Sequence, residues 1–340
     1  MDNSFHNKKL TKSTFHIISY YILVGNQMNL LANKWTFLDL AHLPTRKHGK
    51  MVADYGVIGV PFDNAASFRT GQRHAPAALR MASTMLIDGA PAFANVDPTQ
   101  DITGVDLGDM DVAVGDVKTA HKNIARAYTK AKKNLKQVVA MGGDHYVTLP
   151  ILQSLLKKLG EPVALIHFDA HHDLWNEGVG TKKGHGTWVR NAIEEGLILP
   201  QNSVQIGIRS PSPRETQEYA REKGLLQFNA QTIHTGDINY VSRKILERVG
   251  SVPTYLSFDI DAVDPSQAPG TGTPEAAGLW MHQVFAIFES LTGKWQRNPI
   301  KWVGADFVEL LPEKDPSGIT ALALATVIYW YLTMQALPSA

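Results

Sequence analysis

From Tyr55 onward the chain alternates short apolar runs with longer amphipathic stretches, the rhythm of repeated β–α units. "YGVIGVPF" predicts a first strand over 55–60, and "QVVAM", "VALIHF", "SVQIGI", "TYLSFDI" and "KWVGADF" predict later ones. Between them "APAALRMAS" reads as a helix start, "VKTAHKNIARAYTKAKKNLK" as a helix with a solvated lysine face, and "LPILQSLLKKLG" as another helix. A final helix, roughly 318–334, is apolar enough to be buried against the sheet. Strands so rich in Val, Ile and Leu suit a parallel sheet covered on both faces. The expected fold is therefore α/β, a single doubly wound parallel sheet sandwiched by helices in three layers.

In such sheets ligands bind beyond the carboxyl ends of the strands. Four predicted strands run into polar clusters there: "GGDH", "DAHHD", "DIDAVDP" and "DFVE". Asp169, His171 and Asp173 stand at i, i+2, i+4, so in an extended segment they project the same way. Asp259 and Asp261 repeat the i, i+2 spacing, and His145 follows a double glycine that lets the backbone turn tightly. Four carboxylates crowded together cannot all stay ionised without compensation. Two divalent cations would balance four aspartates. Oxygen and imidazole donors suit manganese, nickel, iron or zinc, and the carboxylate excess favours manganese. A hydroxide held between two such ions is a strong nucleophile at neutral pH.

Composition narrows the chemistry. The chain has 340 residues, 44% hydrophobic and 19% charged, and a net charge of +1 with no basic face to suggest nucleic acid. Cysteine is absent, which excludes disulfides, thiolate ligation and a cysteine nucleophile. At the N-terminus three lysines precede an apolar stretch, 15–24, that loosely resembles a signal peptide but is too short to span a membrane. We expect residues 1–50 to be an extension outside the fold, or an upstream start ahead of Met28, and 51–340 to be the catalytic domain. No membrane partner and a cytoplasmic protein are expected.

"MGGDH", "HFDAHHD" and "SFDIDAVDPSQAPGTGTPE" resemble, in order, three signatures of the ureohydrolase family of arginases, agmatinases and related guanidino-acid hydrolases. "GVPFDNAASFRTGQRHAPAALR", "SVQIGIRS" and "DFVELLPEKDPSGITALALAT" are closer to its agmatinase-like branch. The resemblance implies that His145, Asp169, Asp173 and Asp259 hold one metal, and that His171, Asp169, Asp259 and Asp261 hold the other. Asp169 and Asp259 would bridge. It also implies that His185 in "GHGTW" passes a proton to the leaving amine, that Glu309 holds the guanidinium, and that Asp261 steadies the attacking hydroxide or relays its proton. The implied products are urea and an amine, putrescine if the substrate is agmatine. The implied assembly is a homo-oligomer, a trimer or hexamer.

Other polar residues have plainer roles. Asp144, Asp264 and Asp306 read as turn or supporting residues, His172 as a structural or pocket-rim group, and His121, His234 and His282 as surface or packing histidines. The glycines of "PGTGTPE" lack the lysine of a phosphate-binding loop and read as a turn at the site's mouth. After "TGTPE" the family commonly has paired glycines, where this chain has Ala276, Ala277, Gly278, Leu279 and Trp280. Trp175, Trp188 and Trp280 all stand near these motifs. They either pack the core or line a narrowed pocket and stack on a planar cation. The second case would favour guanidine, guanidinobutyrate, guanidinopropionate or a biguanide such as metformin, with nickel as the alternative metal. A single-zinc deacetylase of the same broad fold and a non-catalytic subunit are the weaker readings, since the whole ligand set is present.

Overall fold

A computed structural model describes residues 35–43, 53–113, 115–178 and 180–339. The signal-like stretch at 15–24 and the alternative start at Met28 lie outside the described residues. Among the described residues nine strands pair into one sheet: β1 (Ala41–His42), β2 (Ala53–Gly59), β3 (Gly104–Asp109), β4 (Leu135–Met141), β5 (Ala164–Phe168), β6 (Val204–Ile208), β7 (Leu226–Asn229), β8 (Thr254–Asp259) and β9 (Trp302–Val308). Their order is β1-β3-β2-β4-β9-β8-β5-β6-β7, and every pairing is parallel. After β4 the chain leaves a gap, starts the second half at β5, and later returns with β8 and β9 to fill it. Winding reverses there, so the ends of β4, β9, β8 and β5 open onto one crevice.

Alternation within each strand feeds two cores. Val139, Met141, Ile166, Phe168, Leu256 and Phe258 face one core with helices Ile238–Val249, Met281–Leu291 and Ile319–Ala336. Val138, Ala140, Leu165 and Tyr255 face the other, with helices Val117–Lys132 and Thr148–Leu159. This is why the strands read as continuous apolar runs. The last helix, Ile319–Ala336, is long and apolar enough to cross a membrane, yet 72% of it is buried inside the fold.

Three strands escape the sequence pattern. β1 is two residues long, β7 carries Gln227 and Asn229, and β3 carries Asp106 and two glycines. Asp106 is buried, and the Arg80 guanidinium grips it twice, Nε to Oδ2 at 2.8 Å and Nη2 to Oδ1 at 2.9 Å. Arg80 also reaches Asp109 at 2.6 Å. Removing the arginine would leave a buried carboxylate without its partner. Arg80→Met is therefore expected to cost about 3–5 kcal/mol, read as a lower midpoint of urea unfolding. An unchanged midpoint would refute that role.

Candidate metal centre and active site

The strand ends bring the predicted residues together, but not by simple alternation. Beyond β4, Gly142 and Gly143 take φ of 81° and 86°. A Cβ on Gly143 would sit 2.8 Å from the Val60 carbonyl oxygen, so the turn needs glycine. It delivers His145 to a short 3-10 turn capped by Asp144, whose Oδ1 accepts from Tyr146 N–H. Beyond β5, the His171 N–H donates back to Asp169 Oδ1 at 2.6 Å, and Asp173 lies at φ 52°. The segment is therefore bent rather than extended, and the left-handed residue is what turns the Asp173 carboxylate inward. Beyond β8 the Asp261 N–H donates to Asp259 Oδ1 at 2.8 Å in another local turn.

His145 Nδ1 faces three carboxylate oxygens: Asp259 Oδ2 at 3.0 Å, Asp169 Oδ2 at 3.1 Å and Asp173 Oδ2 at 3.3 Å. Its Nε2 meets Ser257 Oγ at 2.8 Å, and that hydroxyl gives its own proton to Asp306. Nε2 therefore carries a hydrogen, and Nδ1 turns toward the carboxylates. His171 repeats the arrangement, with Nδ1 at 3.0 Å from Asp261 Oδ2 and 3.3 Å from Asp169 Oδ1. Asp169 belongs to both groups. Donor atoms of His145, His167, Asp169 and Asp173 lie within 4.8 Å of one another, and so do those of Asp169, His171 and Asp261.

The electrostatics call for cations. Among the described residues, the ion-pair partners of these aspartates are histidines only. Arg209 lies nearby but donates to the backbone oxygens of Asp261 and Glu275. Burial, then repulsion from Asp169, pushes Asp173 up to about 7. Burial and the Asp261 charge raise Asp259 as well. Burial opposes the charge on Asp169 too, but the surrounding imidazoles outweigh it. Asp169 Oδ2 is buried without a well-formed hydrogen bond, although His167 Nε2 lies 2.8 Å away. Hard oxygen donors, two Nδ1 atoms aimed inward and an unsatisfied shared carboxylate fit a pair of divalent ions.

Beside this cluster lies a cavity of about 520 Å³ whose walls include Ser67, Arg69, His171, Trp175, His185 and Glu275. Glu309, expected to hold the guanidinium, is buried at φ 64° and outside the cavity lining, in contact with it through His185. Its Oε1 accepts from His145 N–H at 2.8 Å and His185 Nδ1 at 2.9 Å, while Oε2 accepts from Gln72 at 2.9 Å. Burial disfavours a charged His185, yet Glu309 outweighs it and the ring is pushed up to about 9.

The tryptophans divide. Trp175 is on the cavity wall and 38% exposed. Trp188 takes the packing role rather than the substrate-contacting one, fully buried behind the cluster and outside the cavity lining. Its indole N–H donates to Asp173 Oδ2 at 2.6 Å, and its ring lies 4.9 Å from that of His145. Trp280 is half-exposed at the start of a helix beside His282, outside the cavity lining. Its backbone, not its ring, is what the local turn uses. His172 is at the rim, held by Gln227.

Several supporting residues escaped sequence reading. His167 stands two before Asp169 on the same strand face, a signal the period of two contained. Gln205 fixes its other nitrogen at 2.9 Å. Ser257 holds the same place before Asp259 on β8, whereas Ser67 and Gln72 come from distant segments and carried no such signal.

Residues 53–333 match the model of the arginase family. The chain is 39% identical to the agmatinase of Edwardsiella ictaluri over 285 residues, covering 84% of this chain and 88% of that one. It is 37% identical to the agmatinase of Neisseria meningitidis over 322 residues, 94% and 98% of the two chains. Proclavaminate amidino hydrolase from Streptomyces clavuligerus superposes with a TM-score of 0.82 at 34% identity, covering 90% of this chain and 98% of that one. The chain belongs to the arginase family. It is an agmatinase-like, metal-dependent ureohydrolase.

Proposed function

We propose that the protein hydrolyses the C–N bond of agmatine to give urea and putrescine. The observation that carries this reading is the convergence of His145, His171, Asp173, Asp259 and Asp261 around Asp169, with no lysine or arginine ion-paired to these carboxylates among the described residues. His145, Asp169, Asp173 and Asp259 would hold one divalent ion, and His171, Asp169, Asp259 and Asp261 the other. Manganese is favoured, with nickel as the alternative. Bound ions would make water a competent nucleophile at neutral pH. The chain's own groups do the rest. Asp261 steadies the attacking water or takes its proton. Glu309, charged and with acceptor capacity left on Oε2, draws the guanidinium inward. His185 passes a proton to the departing amine.

Urea release from agmatine, arginine, guanidinobutyrate, guanidinopropionate, guanidine and metformin, after loading with manganese or nickel, tests the reading. Turnover mainly of agmatine supports it. Turnover of guanidine or the biguanide alone would favour the second reading, for which exposed Trp175 on the cavity wall is the supporting observation. A cytoplasmic homo-oligomer belongs to the same proposal.

As an acid, His185 acts while protonated, so kcat should fall as pH rises through about 9. The pH profile of His185→Asn should lose that limb and lie about 10²-fold lower. An unchanged limb would show that another group titrates.

A further inference from the structure

Ser67 meets His185 Nε2 in two ways. Its backbone N–H donates to that nitrogen at 3.0 Å, and its hydroxyl oxygen lies 2.7 Å from it. The opposite ring nitrogen, Nδ1, is committed to Glu309. Any proton that His185 exchanges must therefore pass through Nε2, and Ser67 covers Nε2. Ser67 itself is exposed and lines the cavity.

The loop carrying Ser67 is anchored on both sides. Asp144 Oδ2 accepts from Ala65 N–H at 2.7 Å, and the Ala65 oxygen accepts from His185 N–H at 3.1 Å. Further along, Asp63 takes Gly71 N–H at 2.8 Å and pairs with Arg73. One loop thus holds the His185 backbone and presents a hydroxyl to its ring, so the contact is preorganised. The backbone N–H can only donate, which suits the neutral ring. The hydroxyl rotates and can give or accept, so it also serves the protonated one.

We propose that Ser67 is the last member of a proton relay running from His185, held by Glu309, to the leaving amine. This rests on the proposed hydrolysis of a guanidino compound. As the C–N bond breaks and its electron pair passes to nitrogen, Ser67 Oγ gives its proton to that nitrogen. Nε2–H gives its proton to Oγ in the same step. The hydroxyl is regenerated, and His185 regains its proton from water in the cavity.

The test compares two leaving groups. An alkylguanidine expels a strongly basic amine that must be protonated, whereas p-nitrophenylguanidine expels a weakly basic aniline with little need of a proton. In Ser67→Ala, kcat for the alkylguanidine should fall about 10–100-fold with KM little changed, and the arylguanidine should lose at least tenfold less. Ser67→Thr, which restores the hydroxyl, should recover most of the alkylguanidine rate. Equal losses on both compounds, or none on either, would overturn the relay while leaving the hydrolase intact. Wild-type protein that releases urea from neither compound would overturn the underlying function instead.

Discussion

Asp169→Asn is expected to lower urea release by on the order of 10³-fold and to weaken cation binding in the same preparation. Asp169 joins the two donor groups, 3.1 Å from His145 Nδ1 and 3.3 Å from His171 Nδ1. An amide would put a neutral dipole where the two proposed ions would share a charge, and would remove one of the four negative charges that would draw them in. Titration calorimetry with manganese, beside the urea assay, separates the two effects. Retained binding with lost activity would restrict Asp169 to chemistry. Retained activity would remove it from the centre.

The second large effect is expected at Glu309. Glu309→Gln keeps the shape but removes the charge that holds His185 protonated and that is proposed to draw in the guanidinium. The amide would also set its own donors against Gln72 Nε2 or the His185 Nδ1–H, both of which now donate to the carboxylate. We expect kcat/KM to fall by on the order of 10³-fold and the alkaline limb to move to lower pH. The direction follows because His185 owes its raised value to Glu309 against the effect of burial. A variant with lost activity but an unmoved limb would contradict this coupling.

Much of the site was legible because metal chemistry concentrates costly side chains where the fold can bring them together. Six acidic and imidazole groups at the ends of three predicted strands have no place in a core unless something compensates them. Geometry was less legible. Alternation along an extended segment does not account for the cluster, since Asp173 turns inward through a left-handed backbone and Asp261 lies in a local turn capped by Asp259. The place of Trp188 in sequence left core packing and pocket lining both open, and its ring backs the His145 imidazole from inside the core. Exposure of that kind depends on which helix face meets the sheet. β3 was invisible because Asp106 interrupts the apolar pattern, and its compensation, Arg80, lies 26 positions away. Ser67 and Gln72 were invisible for the same reason: their partners are His185 and Glu309, 118 and 237 positions away.

The account turns on a pair of cations serving one reaction. The most direct measurement is the number of divalent ions bound per chain, by equilibrium dialysis of chelator-stripped protein, with urea release from agmatine followed at each point. We predict two ions per chain, activity that rises with occupancy of both, and its loss on chelation. Binding of a single ion at full activity, or urea release that survives complete stripping, would contradict it.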